Sequence, residues 1–180
     1  MSDPGALDAR PVVAALVAAG LTVATAESLT GGLLCATLVD VPGASAVVRG
    51  GVVAYATELK ADVLGVDADA LARTGPVDGA VAEQMARGAR RVLGADVGLA
   101  TTGVAGPGPA DGFPAGTVFI GIAADVLPGG ARHVRLDVPG DRPEVRRATV
   151  QAALTHLAAL LEAQGEDRDG AAEQDAVAGS

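Results

Sequence analysis

The side chains able to do chemistry are few, and their scarcity narrows the search. The chain has 180 residues but a single lysine, Lys60, a single tyrosine, Tyr55, and a single cysteine, Cys35. Only two serines, Ser28 and Ser45, lie away from the termini, and the two histidines are His133 and His156. His156 falls within a predicted helix and His133 in a predicted strand, and neither is paired in sequence with a nucleophile, so a Ser-His-Asp triad is poorly supported. One cysteine and two distant histidines cannot supply the ligands of a structural zinc, so no metal site is expected. Lys60 remains as a base candidate, since burial or a nearby cation lowers a lysine pKa and serine–lysine hydrolases exist. A solvated place on a helix face accounts for an isolated lysine as well.

Four segments bring polar groups to the ends of predicted elements. In the first, Glu27, Ser28, Thr30, Gly31 and Gly32 join an apolar strand to an apolar helix. Backbone N–H groups and hydroxyls gathered at a helix N-terminus suit an anion or a developing oxyanion, although helix capping alone explains the same residues. The second segment runs from Tyr55 to Lys60, without the Tyr-x-x-x-Lys spacing of short-chain dehydrogenases. In the third, Thr101 to Pro109, glycines allow backbone N–H groups to approach a ligand. No Gly-Lys-Ser/Thr follows, and Pro107 and Pro109 block the helix start of a dinucleotide fingerprint. In the fourth, Arg142 and Arg146 stand four apart near a helix start, on one face, where they could grip a phosphate or simply be solvated.

The elements that must position these groups follow from apolar periodicity and from Gly, Pro and Asp punctuation. Helices are predicted over 6–19, 31–40, 57–64, 67–73, 78–93 and from Asp141 to about Gln164. Strands are predicted over 21–26, 47–55, 96–102, 117–124 and 132–138. Gly50-Gly51 suggests a bulge or a close approach inside the second strand, and Asp141 with Glu144 has capping-box spacing. Alternation of strand and helix followed by two successive strands predicts a single α/β domain. Its architecture would be three-layer α/β/α with a mixed, mostly parallel central sheet. Ligands bind such sheets at the carboxyl ends of strands. Residues 1–5 and the polar stretch 165–180 are expected to be a disordered N-terminus and a disordered acidic tail flanking the domain at 6–164.

Composition removes several function classes. The net charge is −9, of which the tail from Gly165 onward carries −4, and no basic face that would neutralise nucleic-acid phosphates is evident. The longest apolar run, Val12 to Ala19, is shorter than the ~20 residues a membrane-spanning helix needs. A lone cysteine allows no intrachain disulfide, and no cationic stretch leads an apolar core at the N-terminus, so a cytoplasmic protein is expected.

Six ordered blocks of the sequence resemble the CinA C-terminal domain family. They are Ala26-Glu27-Ser28-x-Thr30-Gly31-Gly32; Asp40 to Ser45; Val53-x-Tyr55-x-x-Glu58-x-Lys60 with Leu64-Gly65-Val66; Thr102 to Pro107; Pro114-x-Gly116-Thr117-Val118; and Gly140-Asp141-Arg142-x-x-Val145-Arg146. The resemblance covers about residues 6–162. The family includes nicotinamide mononucleotide amidohydrolases (PncC-like), so the resemblance implies a serine–lysine hydrolase that converts nicotinamide mononucleotide and water to nicotinate mononucleotide and ammonia. Neither cofactor nor metal is implied, and a homodimer is compatible with the family. Carried over by position, Ser28 is the nucleophile, Lys60 its general base and Tyr55 a support for the pair. N–H groups around Thr30, Gly31 and Gly32, beside Glu27, would form the oxyanion hole. Thr102, Gly103, Ala105 and Gly106, or Arg142 and Arg146, would hold the phosphate. Ser45 is a rival nucleophile or a ligand contact. The alternatives are a catalytically weak nucleotide-binding module of the same fold, or an amidase for another small amide. Departures from the family pattern occur at Ala56-Thr57, Val47 to Gly50 and Phe113, and they bear on substrate choice.

Overall fold

With no tryptophan and only two phenylalanines, the core has to be built from Ala, Val, Leu and Ile, and layers of small side chains must approach closely. A computed structural model of the chain describes the backbone of residues 7–178 and the side chains of residues 7–165. Five strands form one sheet: β1 (Val23–Glu27), β2 (Val48–Val53), β3 (Val97–Gly103), β4 (Thr117–Ala123) and β5 (Ala131–Asp137). Six helices are α1 (Arg10–Ala19), α2 (Leu33–Val39), α3 (Thr57–Asp62), α4 (Ala68–Thr74), α5 (Gly79–Leu93) and α6 (Arg142–Ala178). The strand order is β2-β1-β3-β4-β5. β1 pairs in parallel with β2 and β3, while β4 pairs antiparallel with β3 and with β5. The sheet is therefore mixed, and helices cover both faces.

The two faces differ in side-chain size. Val23, Leu99, Ile120 and Ile122 point into a core shared with Leu16 of α1, Leu34 of α2 and Leu154 and Leu157 of α6. Ala24, Ala26, Ala100 and Ala123 point the other way, against Val81, Met85, Ala86 and Ala89 of α5. Glycines deepen that second approach. A Cβ added at Gly98 would lie 1.9 Å from the Ala86 carbonyl oxygen, and one at Gly121 would lie 2.1 Å from that of Ala82. Helix α5 thus lies directly on strand backbone.

Element starts follow the predicted capping chemistry. Asp78 accepts from the N–H groups of Ala80 and Val81. Asp141 and Glu144 form the reciprocal pair, Glu144 N to Asp141 Oδ1 at 3.0 Å and Asp141 N to Glu144 Oε2 at 2.7 Å. The Gly50 bulge is present: Val23 pairs with Val48 but Ala24 pairs with Gly50, which sits at φ 139°. Helix α6 runs to Ala178, past the end at Gln164 that the change to polar composition predicts. Ala171, Ala172, Glu173 and Gln174 have high intrinsic helix propensity, which polarity alone does not register. The predicted disordered N-terminus, residues 1–5, lies outside the described residues.

Candidate active site

Strand register brings the site together. Glu27 at the end of β1 faces Val53 of β2 on one side and Thr101 of β3 on the other. The three parallel strands run the same way, so Ser28 after β1, Ala54-Tyr55 after β2 and Thr102-Gly103 at the end of β3 lie at one edge of the sheet, the place where open α/β sheets bind ligands.

After Ser28 the chain turns sharply through Gly31 and Gly32, at φ 60° and 94°, conformations that only glycine adopts without cost. The turn points the first N–H groups of α2 back at Glu27. Its carboxylate, only 1% exposed, accepts from Gly32 N at 2.9 Å, Leu34 N at 3.0 Å and Cys35 N at 2.8 Å. The Thr25 hydroxyl adds a bond at 3.3 Å. Gly31 N donates to Ser28 O. The expected oxyanion hole at Thr30 to Gly32 is therefore corrected: the helix N-terminus already has its anion, and it is Glu27. The Thr30 hydroxyl bonds that of Thr101 at 2.7 Å. Arg146 donates to the carbonyls of Leu29 and Thr30 at 3.0 and 2.7 Å. Glu27, Thr30, Gly31, Gly32 and Arg146 build and brace the nucleophile turn, and none of them lines the cavity described next.

Lys60, the last-turn residue of α3, is 1% exposed. Its Nζ donates to Ser28 Oγ at 3.2 Å and to the Ala54 carbonyl at 2.8 Å. Burial pushes its pKa below the ordinary lysine range, while the carboxylates of Asp111 and Glu58 oppose the shift. A buried amine of lowered pKa against a serine hydroxyl is the arrangement a serine–lysine nucleophile needs.

Ser28 and Lys60 open into a cavity of about 250 Å³ whose walls include Tyr55, Thr57, Asp111, Arg142 and the stretch Thr102 to Gly106. Tyr55, 59% exposed, makes no hydrogen bond to the pair it was expected to support; its hydroxyl accepts from Arg142 Nη2 at 2.7 Å. Arg142 Nη1 donates to the Gly106 carbonyl at 2.8 Å, so one guanidinium ties two walls together. The Thr102 hydroxyl donates to Pro76 O at 2.7 Å, and both residues line the cavity. Ser45 lies elsewhere, in a 3-10 turn (Ala44–Ala46) beside a separate groove lined by Val39, Val41 and Pro42.

Sequence reasoning missed Asp111, Pro76 and Val77 as wall residues, and it marked Thr57 only as a departure from the family pattern that bears on substrate choice. Asp111-Gly112 carried a usable signal, since that dipeptide marks a tight hairpin turn. Among the described residues no cluster of His, Cys, Asp and Glu could hold a metal ion, and no helix is long and apolar enough to cross a membrane.

The chain is thus a three-layer α/β protein with a serine–lysine contact at the carboxyl ends of its parallel strands. It belongs to the CinA C-terminal domain family, whose model matches residues 8–161. A CinA-like protein of Frankia casuarinae is 53% identical over 152 residues, covering 83% of this chain and 34% of its own length. A CinA-like protein of Mycolicibacterium gilvum is 46% identical over 168 residues, 91% of this chain and 38% of its own. This chain therefore spans little more than a third of those relatives. The crystal structure of a competence-damaged protein (CinA) superfamily protein from Klebsiella pneumoniae superposes with a TM-score of 0.81 at 36% identity, covering 86% of this chain and 95% of that one.

Proposed function

We propose that the protein is a nicotinamide-nucleotide amidohydrolase that uses Ser28 as nucleophile and Lys60 as general base. The observation that carries the proposal is the 3.2 Å contact between Lys60 Nζ and Ser28 Oγ at the buried side of an open cavity. An amide is a poor electrophile, so both an activated nucleophile and oxyanion stabilisation are required. Ser28 Oγ attacks the carboxamide carbon while Lys60, as the neutral amine, takes the hydroxyl proton. The tetrahedral intermediate collapses by breaking the C–N bond, and ammonia leaves with the proton from Lys60. Water then attacks the Ser28 ester with Lys60 again as base, releasing the carboxylate and restoring the serine hydroxyl.

The donors for the oxyanion differ from those expected at Thr30 to Gly32. Leu29, Ala105 and Gly106 line the cavity, and their N–H groups are taken by no acceptor among the described residues. Leu29 N–H, adjacent in sequence to the nucleophile and lining the cavity, is the first choice. A ring that carries positive charge favours the neutral form of Lys60, which is the form the reaction needs. The substrate class comes from the family resemblance together with this charge argument.

Ammonia release from nicotinamide mononucleotide by the purified protein tests the proposal, run beside Ser28→Ala and Lys60→Ala. Both variants should lose on the order of a thousandfold or more in kcat with an unchanged circular dichroism spectrum. Absence of ammonia from the wild type would remove the amidase assignment; nucleotide binding without turnover would point to a binding module of the same fold.

A further inference from the structure

We infer that Asp111 is a specificity-determining residue of this cavity, where its carboxylate favours a ligand with a positively charged ring over the uncharged form of the same ligand. This rests on the amidase proposal for the identity of the ligand, and not for the role of the side chain.

Asp111 is held in place by its turn. Asp111 and Gly112 have φ 51° and 80°, and Ala110 and Phe113 exchange both backbone hydrogen bonds at 3.0 and 2.9 Å. Two left-handed central residues in a two-residue hairpin give the type I′ pattern, for which Asp-Gly is a favoured pair. The hairpin is anchored behind its tip. Phe113 packs edge-on against Phe119 of β4 at 6.1 Å, and the Arg135 guanidinium lies 5.8 Å from the Phe113 ring centre. Asp111 thus stands on the cavity wall as part of a braced loop.

Its carboxylate has no hydrogen-bond or ion-pair partner among the described residues, and it is exposed. Arg142, the cation on the same cavity wall, is committed to Gly106 and Tyr55. The one other charged group facing the space is Lys60. Towards Lys60 the Asp111 carboxylate is unhelpful, because it favours the ammonium and opposes the effect of burial. A cationic ring entering the cavity changes this balance. It takes up the field of Asp111, and its own charge disfavours a second cation at Lys60. The same carboxylate then attracts the ligand and leaves the base in its working form once the ligand is bound.

The experiment compares binding of nicotinamide mononucleotide with that of its reduced form, which keeps the carboxamide, ribose and phosphate but has an uncharged ring. Calorimetric titrations use the wild type and Asp111→Asn, each carrying Ser28→Ala so that the oxidised nucleotide binds without being consumed, with ammonia release followed in parallel on the same pair with Ser28 intact. Asparagine tolerates the left-handed conformation of the turn, so the hairpin is retained. The wild type should prefer the oxidised form by about fivefold, the scale of an exposed ion pair, and the variant should lose that preference. An equal preference in both proteins, or none in the wild type, overturns the inference. A preference that depends on Asp111 but comes without ammonia release supports it and removes the amidase proposal. Failure of the wild type to bind either nucleotide overturns both.

Discussion

Ser28 and Lys60 lie 32 residues apart in sequence and meet at 3.2 Å because backbone pairing aligns the segments that carry them. Parallel pairing sets Glu27 opposite Val53, and Ala54 N continues the ladder to Glu27 O at 2.9 Å. The next carbonyl, that of Ala54, receives Lys60 Nζ at 2.8 Å. The strand ladder, the lysine and the nucleophile form one connected set of hydrogen bonds, so the base is positioned by backbone pairing.

That placement has a pH signature. Burial lowers the Lys60 pKa in the folded protein, whereas the unfolded chain keeps the ordinary value of 10.5. Between the lowered value and 10.5 the unfolded state binds more protons, so stability rises with pH across this window and is lost as pH falls through the folded value. Lys60→Met should abolish that slope. Urea denaturation at neutral pH and at pH ~9 measures it, since the window closes at the ordinary lysine value. An identical pH slope in wild type and variant would mean that Lys60 keeps an ordinary pKa. In the wild type, kcat/KM should rise with pH on an acid limb below the ordinary lysine range.

Glu27 is predicted to act through structure. Glu27→Ala leaves the N–H groups of Gly32, Leu34 and Cys35 without their acceptor and should cost on the order of 3 kcal/mol, the scale for orphaned buried donors to a charged group. Glu27→Gln keeps the volume but turns an NH2 towards backbone donors, so it should cost less while still lowering kcat by displacing Ser28. Equilibrium unfolding with ammonia release separates this from direct contact with the ligand. A fully stable Glu27→Ala variant that fails only in binding would contradict the capping role.

Much of the fold was legible in the sequence because the punctuation was strong. Asp78, Asp141 with Glu144, and the glycines after α1 and α5 each mark an element end, and the structure places helix boundaries within a few residues of them. The site was legible where motif and backbone agree, as at Ser28 and Lys60, and less so where a partner from elsewhere in the chain decides the role. Glu27 has the residue type of a ligand contact, yet the left-handed turn at Gly31-Gly32 folds α2 back onto it. Arg142 and Arg146 share a helix face, but Arg142 reaches the cavity wall while Arg146 braces the carbonyls of the nucleophile turn. Nothing in local spacing distinguishes those fates, because the acceptors are supplied by residues far away in the chain.

The bridge from Arg142 to Tyr55 and Gly106 predicts a binding phenotype. Tyr55→Phe removes one acceptor, and Arg142→Lys replaces a two-pronged donor by a point charge that cannot span both walls. Tyr55 is more exposed than buried, so global stability should change by less than ~1 kcal/mol. KM should rise severalfold in both variants, with a smaller change in kcat. A large fall in kcat at constant KM in Tyr55→Phe would instead place the phenol in the chemical step.

The close seating of α5 predicts a contrast among glycines that composition alone does not suggest. In Gly121→Ala the new Cβ would lie 2.1 Å from the Ala82 carbonyl oxygen, and in Gly98→Ala 1.9 Å from that of Ala86. Both obstacles are helix backbone and cannot rotate aside, so α5 must lift away from the sheet and loosen Met85, Ala86 and Ala89 together. Overpacking of this kind costs about 1–3 kcal/mol and sometimes more. Gly108→Ala is the control: a Cβ there meets nothing within 4 Å, and restricting a loop glycine should leave stability within ~0.5 kcal/mol of the wild type. Chemical denaturation of the three variants measures the difference. Equal stability for Gly121→Ala and Gly108→Ala would show that α5 is not seated on strand backbone. A loss confined to Gly98→Ala and Gly121→Ala would show that the small-residue face is what brings the helix down over the sheet that carries Ser28.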